Sequence, residues 1–247
     1  MIVIEDLYKA FGSQEVLRGV SLRVESGEFA ALIGMSGCGK SLLLRLLVCL
    51  MRPDSGRVLI DGCDVAKMPR EELEQLRSRV GYVFQSGALF DSSTVFDNIA
   101  FPLREKTRWS EAKIRNKVME ELELVGLKDV EGKYPSQLSG GMRKRVALAR
   151  TLVRAPEIIL FDEPTTGLDP IVANSILHLF DRVHKQLNLT GILVSHEIPE
   201  IFGVVQKIAM LYEGKIVAVE TPETIGAPQN PVIDQFVHGK PEGPVHY

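Results

Sequence analysis

Residues 29–47 read FAALIGMSGCGKSLLLRLL, and three kinds of segment follow one another in it without a break. FAALI is a short continuous apolar run of the sort that makes a strand buried on both faces. GMSGCGKS (34–41) fits the pattern GxxxxGK[ST]. The apolar stretch after it predicts a helix over 42–51, enclosed on most sides and ended by Pro53, Asp54, Ser55 and Gly56. Strand, glycine-rich turn and helix in this order make a phosphate cradle. In it Gly34, Met35, Ser36, Gly37, Cys38 and Gly39 turn backbone N–H groups inward, Lys40 reaches the β and γ phosphates, and Ser41 ligates Mg2+. A merely structural glycine turn would share the composition but not the placement between strand and helix.

Working outward, the 247 residues are 45% hydrophobic and 25% charged, which excludes a disordered, collagen-like or disulfide-stapled chain. With 29 basic and 32 acidic residues the net charge is −3, so no general field draws nucleic acid or anionic lipid. No nucleic-acid partner is expected, and phosphate binding must be local. The longest apolar run, 42–51, is interrupted by Arg45 and falls short of the ~20 residues of a membrane span. MIVIEDL at the start reads as a first strand and not an export signal. Cys38, Cys49 and Cys63 form no CxxC and cannot all pair, so a reducing, cytoplasmic setting is expected.

Further strands are expected at VSLRV (20–24), RVLI (57–60), VGYVF (80–84), IILF (158–161), GILV (191–194), KIAML (207–211) and IVAV (216–219). Helical patterns separate several of them, which predicts an α/β fold with parallel strands and crossovers. Between residues 84 and 156 strands are absent. Helices are expected there over 110–125 and 139–154, an insertion of roughly 86–157. The cationic residues Arg143, Lys144, Arg145, Arg150 and Arg154 carry no interleaved aromatics, so a solvated helix face is expected in preference to a nucleic-acid patch.

IILFDEP (158–164) puts Asp162 and Glu163 at the carboxyl end of a buried strand, where α/β sheets gather ligands. Such acids are commonly solvated caps. Beside a phosphate cradle, Asp162 is a candidate for holding Mg2+, directly or through its water, and Glu163 for polarising an attacking water. LSGGM (138–142) opens a helix with Ser139, Gly140 and Gly141, which is either a plain N-cap with two glycines or an anion site built from open N–H groups.

Together these motifs resemble the nucleotide-binding subunit of an ABC transporter. The resemblance implies a P-loop NTPase cassette with a RecA-like core, an antiparallel β subdomain and an inserted helical subdomain, hydrolysing ATP with Mg2+. LSGGM is similar to the family signature, which clasps the γ-phosphate held by a second copy of the chain. By the same resemblance Gln85 senses the metal and the attacking water, Asp169 in TTGLD (165–169) belongs to the partner-facing loop, and His196 contacts the γ-phosphate. Phe11 sits where the family stacks an aromatic on adenine, with Tyr8 as the nearby competitor and a core role open to either. Leu42 replaces the usual second hydroxyl after Lys40 and Ser41, and Met142 replaces the usual glutamine of the signature. Cys38, within the cradle, is expected to be inert.

The stretch QSGALFDSSTVFDNIAFPLRE (85–105) is similar to its counterpart in the ATPases of Mla-type bacterial phospholipid transporters. This implies two permease subunits, a periplasmic lipid-binding partner, and a place on the cytoplasmic face of the inner membrane. An ATPase for small solutes or organic solvents is the alternative, and a non-transport ABC ATPase a further one. The ATPase domain is expected over 1–226 and a tail over 227–247. Val232, Ile233, Phe236 and Val237 give the tail a short helix that must dock. The residues beyond it are expected either to fray or to reach the partner copy.

Overall fold

The computed structural model describes residues 1–196, 198, 200–226 and 230–245. Alternating apolar residues open the chain as β1 (Ile2–Phe11) and β2 (Gln14–Val24), paired antiparallel. The continuous apolar run becomes β3 (Phe29–Ile33), buried at every position. There follow α1 (Lys40–Leu47), β4 (Ser55–Ile60), β5 (Cys63–Asp64), α2 (Arg70–Arg79) and β6 (Val80–Val83). The insertion then supplies α3 (Val95–Lys106), α4 (Glu111–Leu124) and α5 (Gly140–Leu152). The chain returns through β7 (Ile158–Asp162), α6 (Pro170–Leu187), β8 (Thr190–Ser195), β9 (Lys207–Tyr212) and β10 (Lys215–Glu220), and closes with α7 (Pro222–Ile225) and α8 (Pro231–Val237).

Two sheets result. One has the order β2-β1-β4-β5 and is antiparallel; the other has the order β10-β9-β3-β8-β7-β6, parallel except for the β10–β9 pair. Period-two alternation along β3 sends Phe29, Ala31 and Ile33 into a core shared with the inserted helices and α6, while Ala30 and Leu32 enter a second core. That second core encloses α1 between the two sheets through Leu43, Leu44, Leu46 and Leu47. The carboxyl ends of β3, β7 and β8 therefore lie side by side, at the edge where such sheets bind ligands.

The helix expected over 42–51 ends earlier, at Leu47. Cys49 takes a left-handed conformation with φ 52°, its N–H donates to Leu46 O at 3.0 Å, and Leu50 N–H donates to Arg45 O at 2.9 Å. This pair of reverse bonds closes the helix and turns the chain toward the antiparallel sheet. α3 had no counterpart among the expected helices, because Pro102 sits within it. It forms because Thr94 caps its Asp97 N–H at 3.1 Å and because Asn98, fully buried, ties it to the preceding loop. The Asn98 amide donates to Phe90 O, Ser93 O and Thr94 O and accepts from Phe90 N–H at 2.8 Å.

The tail helix docks on the chain's own core: Ile233 is buried, and Val232, Phe236 and Val237 pack beside it. Beyond it the chain folds back as far as Val245, whose N–H donates to Gln235 Oε1 at 2.7 Å and whose carbonyl accepts from Gln235 Nε2 at 3.1 Å. The boundary expected after Gly226 falls beside residues 227–229, which lie outside the described residues, as do 246–247.

Candidate nucleotide site

At the end of β3 the chain must turn against Leu211, and only glycine fits: a Cβ on Gly34 would stand 2.3 Å from Leu211 O, and its φ is 150°. Met35, Cys38 and Gly39 are half-buried while Ser36 and Gly37 face outward, with Gly39 capping α1. Lys40 is 3% exposed and curls back into the loop, donating to Gly34 O and Met35 O, each at 2.8 Å. Burial pushes the Cys38 thiol up, against the pull of Lys40. It stays a thiol and a poor nucleophile.

The adjacent acids face different partners. Asp162, 6% exposed at the end of β7, accepts from Ser41 Oγ at 2.6 Å on Oδ1 and from the Tyr82 phenol at 2.9 Å on Oδ2. Burial and the charge of Asp162 push the Tyr82 phenol well above its usual range, so it remains a donor. Glu163 is held in the left-handed region, φ 47°, with its N–H on Val194 O at 3.1 Å. This uncommon backbone turns its side chain out of the strand and over the cradle. Glu163 Oε1 lies 3.7 Å from Lys40 Nζ and 3.5 Å from His196 Nδ1. Its Oε2 accepts from Gln85 Nε2 and from Thr166 Oγ1, both at 3.3 Å. One carboxylate thus gathers groups that are scattered from residue 40 to residue 196.

A cleft of about 380 Å³ opens beside these groups, lined by Phe11, Val16, Leu42, Arg45 and Met51 together with Gly37, Gly39, Lys40, Ser41 and Glu163. Tyr8, the competing aromatic, is absent from that lining and lies against Gly19.

Ser139 caps α5, accepting from Met142 N–H at 3.3 Å. A Cβ on Gly140 or Gly141 would meet Leu168 at 2.8 Å or Val172 at 2.7 Å, so the helix start is seated on the segment leading into α6. Asp169 caps α6 through the N–H groups of Ile171 and Val172, and Ile171 itself is 83% exposed. Among the described residues no hydrogen bond or ion pair joins Ser139, Gly140, Gly141 or Asp169 to the cradle or to Glu163. Within one chain the expected site is two separate halves.

The sequence profile described as ABC transporter matches residues 17–166. The chain belongs to the ABC transporter family. It is 40% identical to the intermembrane phospholipid transport system ATP-binding protein MlaF of Haemophilus influenzae, over the whole of this chain and 94% of that protein. It is 42% identical to the probable ribonucleotide transport ATP-binding protein mkl of Mycobacterium leprae, over 99% of this chain and 70% of that one. Among solved structures, a dimeric post-hydrolysis state of the ATP-binding cassette MJ0796 bound to ADP and Pi superposes with a TM-score of 0.81 and 32% identity, covering 90% of this chain and 99% of the other. The parallel core, antiparallel sheet and helical insertion are those of an ABC cassette, and this cassette is an ATP-binding, ATP-hydrolysing subunit. No helix among the described residues is long and apolar enough to cross a membrane.

The donors around Asp162 suit Mg2+. Ser41 Oγ and the Asp162 carboxylate are hard oxygens in contact, and among the described residues no group of three His, Cys, Asp or Glu side chains forms a cage. Mg2+ is usually held by one or two carboxylates, waters and substrate phosphates. Ser41 and Asp162 would hold it. Leu42, one of the two departures from the family pattern, is half-buried against the second core and lines the cleft. Leu42→Thr is expected to tighten ATP binding about threefold by adding a donor to phosphate, as read by calorimetry. Weaker binding would show that the leucine's packing matters more than a hydroxyl there.

Only part of the solvated face expected of the cations at 143–154 is found: Arg143 is exposed, whereas Arg145, Arg150 and Arg154, the last beyond the end of α5, are half-buried. Lys144 is buried and donates to Gln85 O. Arg150 donates to Gly87 O at 2.8 Å and Ala88 O at 2.7 Å, Arg145 to Val125 O at 2.8 Å, and Arg143 to Leu138 O at 2.7 Å. The reason is local: loop carbonyls without a strand partner need donors, and long cationic side chains on the adjacent helix reach them. The backbone of Gln85 is thereby tied to α5. Arg150→Met is expected to cost about 2 kcal/mol, lowering the unfolding midpoint by about 4–8 °C, with faster hydrogen exchange at residues 85–88. An unchanged midpoint and unchanged exchange would show that the loop holds itself. Tyr82, Lys144 and Arg150 escaped the motif-based reading, since each acts on a residue brought close by folding; Thr166 lies within TTGLD (165–169), three positions from Glu163, and is singled out only by its bond to that carboxylate.

Proposed function

We propose that this cassette holds ATP with Mg2+ at its cradle and drives a membrane permease that moves phospholipid between the inner and outer membranes. The observation that carries the chemistry is the convergence of Lys40, Gln85, Thr166 and His196 on Glu163. Mg2+, when bound, supplies neutralisation of phosphate charge beside Ser41 and Asp162. Lys40 stabilises negative charge on the β and γ phosphates, and Glu163 takes a proton from the attacking water. Gln85 and Thr166 keep the Glu163 carboxylate oriented, and His196 contacts the γ-phosphate. Phe11 offers its exposed ring to adenine. A second copy supplies Ser139, Gly140, Gly141 and Asp169, which closes each nucleotide between two chains.

Phospholipid as cargo is favoured by the end-to-end likeness to MlaF, which covers 94% of that protein, against 70% of mkl. Phe90 and Phe101, each a little under half exposed and packed edge to face with centroids 5.1 Å apart, offer an apolar surface for a permease. The cassette would then sit on the cytoplasmic face of the inner membrane, linked through the permease to a periplasmic lipid-binding subunit. The test is to purify the cassette with its permease, reconstitute both in proteoliposomes, and measure ATP-dependent transfer of fluorescent phospholipid. ATP-dependent movement of ribonucleotide or another small solute, with no lipid transfer, would replace the cargo.

A further inference from the structure

We propose that Tyr82 is a positioning residue that fixes which oxygen of Asp162 is presented to Ser41 and the metal. The inference rests on the assignment of Mg2+ to Ser41 and Asp162. A carboxylate at the end of an aspartate side chain turns broadly about its last torsion, so the rotamer alone does not select one oxygen. Here the two oxygens have different partners: Oδ1 takes the Ser41 hydroxyl at 2.6 Å and Oδ2 the Tyr82 phenol at 2.9 Å.

Strand geometry makes this possible. β6 and β7 run parallel with Tyr82 opposite Leu160, so Asp162 is the diagonal neighbour, two residues further along β7. Alternation puts Tyr82 on the side of the sheet that faces the second core, as it does Ile158 and Leu160. A side chain as long as tyrosine spans that diagonal. Its ring is fixed in turn by Phe84, with ring centroids 4.3 Å apart. The hydroxyl is therefore held at the carboxylate by packing that does not depend on the metal, and it occupies Oδ2. With Oδ2 turned toward the phenol, Oδ1 is the oxygen that faces the Ser41 side of the site.

The test is Tyr82→Phe, which removes one oxygen and keeps the ring. Affinity for a fluorescent ATP analogue is measured in EDTA and at saturating Mg2+, and the ratio of the two reports the coupling between metal and nucleotide. The ratio is expected to fall about tenfold, as for other groups that orient a metal ligand, while the affinity in EDTA stays within about twofold. An unchanged ratio would overturn the proposal. So would equal losses with and without Mg2+, which would make Tyr82 a packing residue. Asp162→Asn, measured alongside, separates the two assignments. If Asp162→Asn lowers the ratio and Tyr82→Phe does not, Tyr82 fails alone; if Asp162→Asn leaves the ratio intact, the metal assignment fails and takes the proposal with it.

Discussion

Glu163→Gln is expected to retain ATP binding, to lower turnover at least about a hundredfold, and to accumulate ATP-bound dimers. General-base assistance contributes about 10²–10⁴ in rate, and glutamine keeps the shape of glutamate without its capacity to take a proton. Glutamine matches glutamate in size and branching, so the left-handed backbone at residue 163, φ 47°, has a side chain of the same shape to hold. Removing the carboxylate charge beside Lys40, 3.7 Å away, also removes one competitor of phosphate for that cation, which favours binding and not release. Phosphate release and sedimentation with ATP read the two effects separately. Normal turnover in this variant would mean that Glu163 serves as a hub for Gln85, Thr166 and His196 and that the proton goes elsewhere.

Ser139→Arg is expected to abolish ATP-dependent dimers and with them nearly all turnover, while a single chain still binds ATP. Two effects combine. Arginine loses the cap on Met142 N–H, worth about 1 kcal/mol, and places a long cation where the N-terminus of α5 would receive phosphate from the other copy. Ser139→Ala isolates the first effect, since it loses the cap without filling the site. It should lower stability modestly and, with the N–H groups of α5 still open to phosphate, reduce dimers and turnover far less than arginine does. The comparison is made in the Glu163→Gln background, where dimers persist long enough to sediment. Undiminished dimers from Ser139→Arg would remove LSGGM from the interface.

Local segments were the legible part of this chain. Residues 29–47 specify strand, cradle and helix within nineteen positions. Their chemistry is written in backbone freedom, one lysine and one hydroxyl, so no distant contact is needed to read it. The N-cap Ser139 was equally readable, because a cap depends on residues two or three positions away; the same role of Asp169 at α6 appears only in the structure. Strand order, the end of α1 and the duties of α5 were not readable either. Lys144 and Arg150 look like solvent-facing cations on a helix with one apolar face, and only the loop carbonyls at Gln85, Gly87 and Ala88 make them donors. Tyr82 reads as one more residue of a buried strand until the pairing of β6 with β7 puts Asp162 within its reach. The difference is physical: a motif carries its partners within a few residues of chain, whereas a hydrogen bond between residues 80 positions apart exists only once sheet register has brought them together.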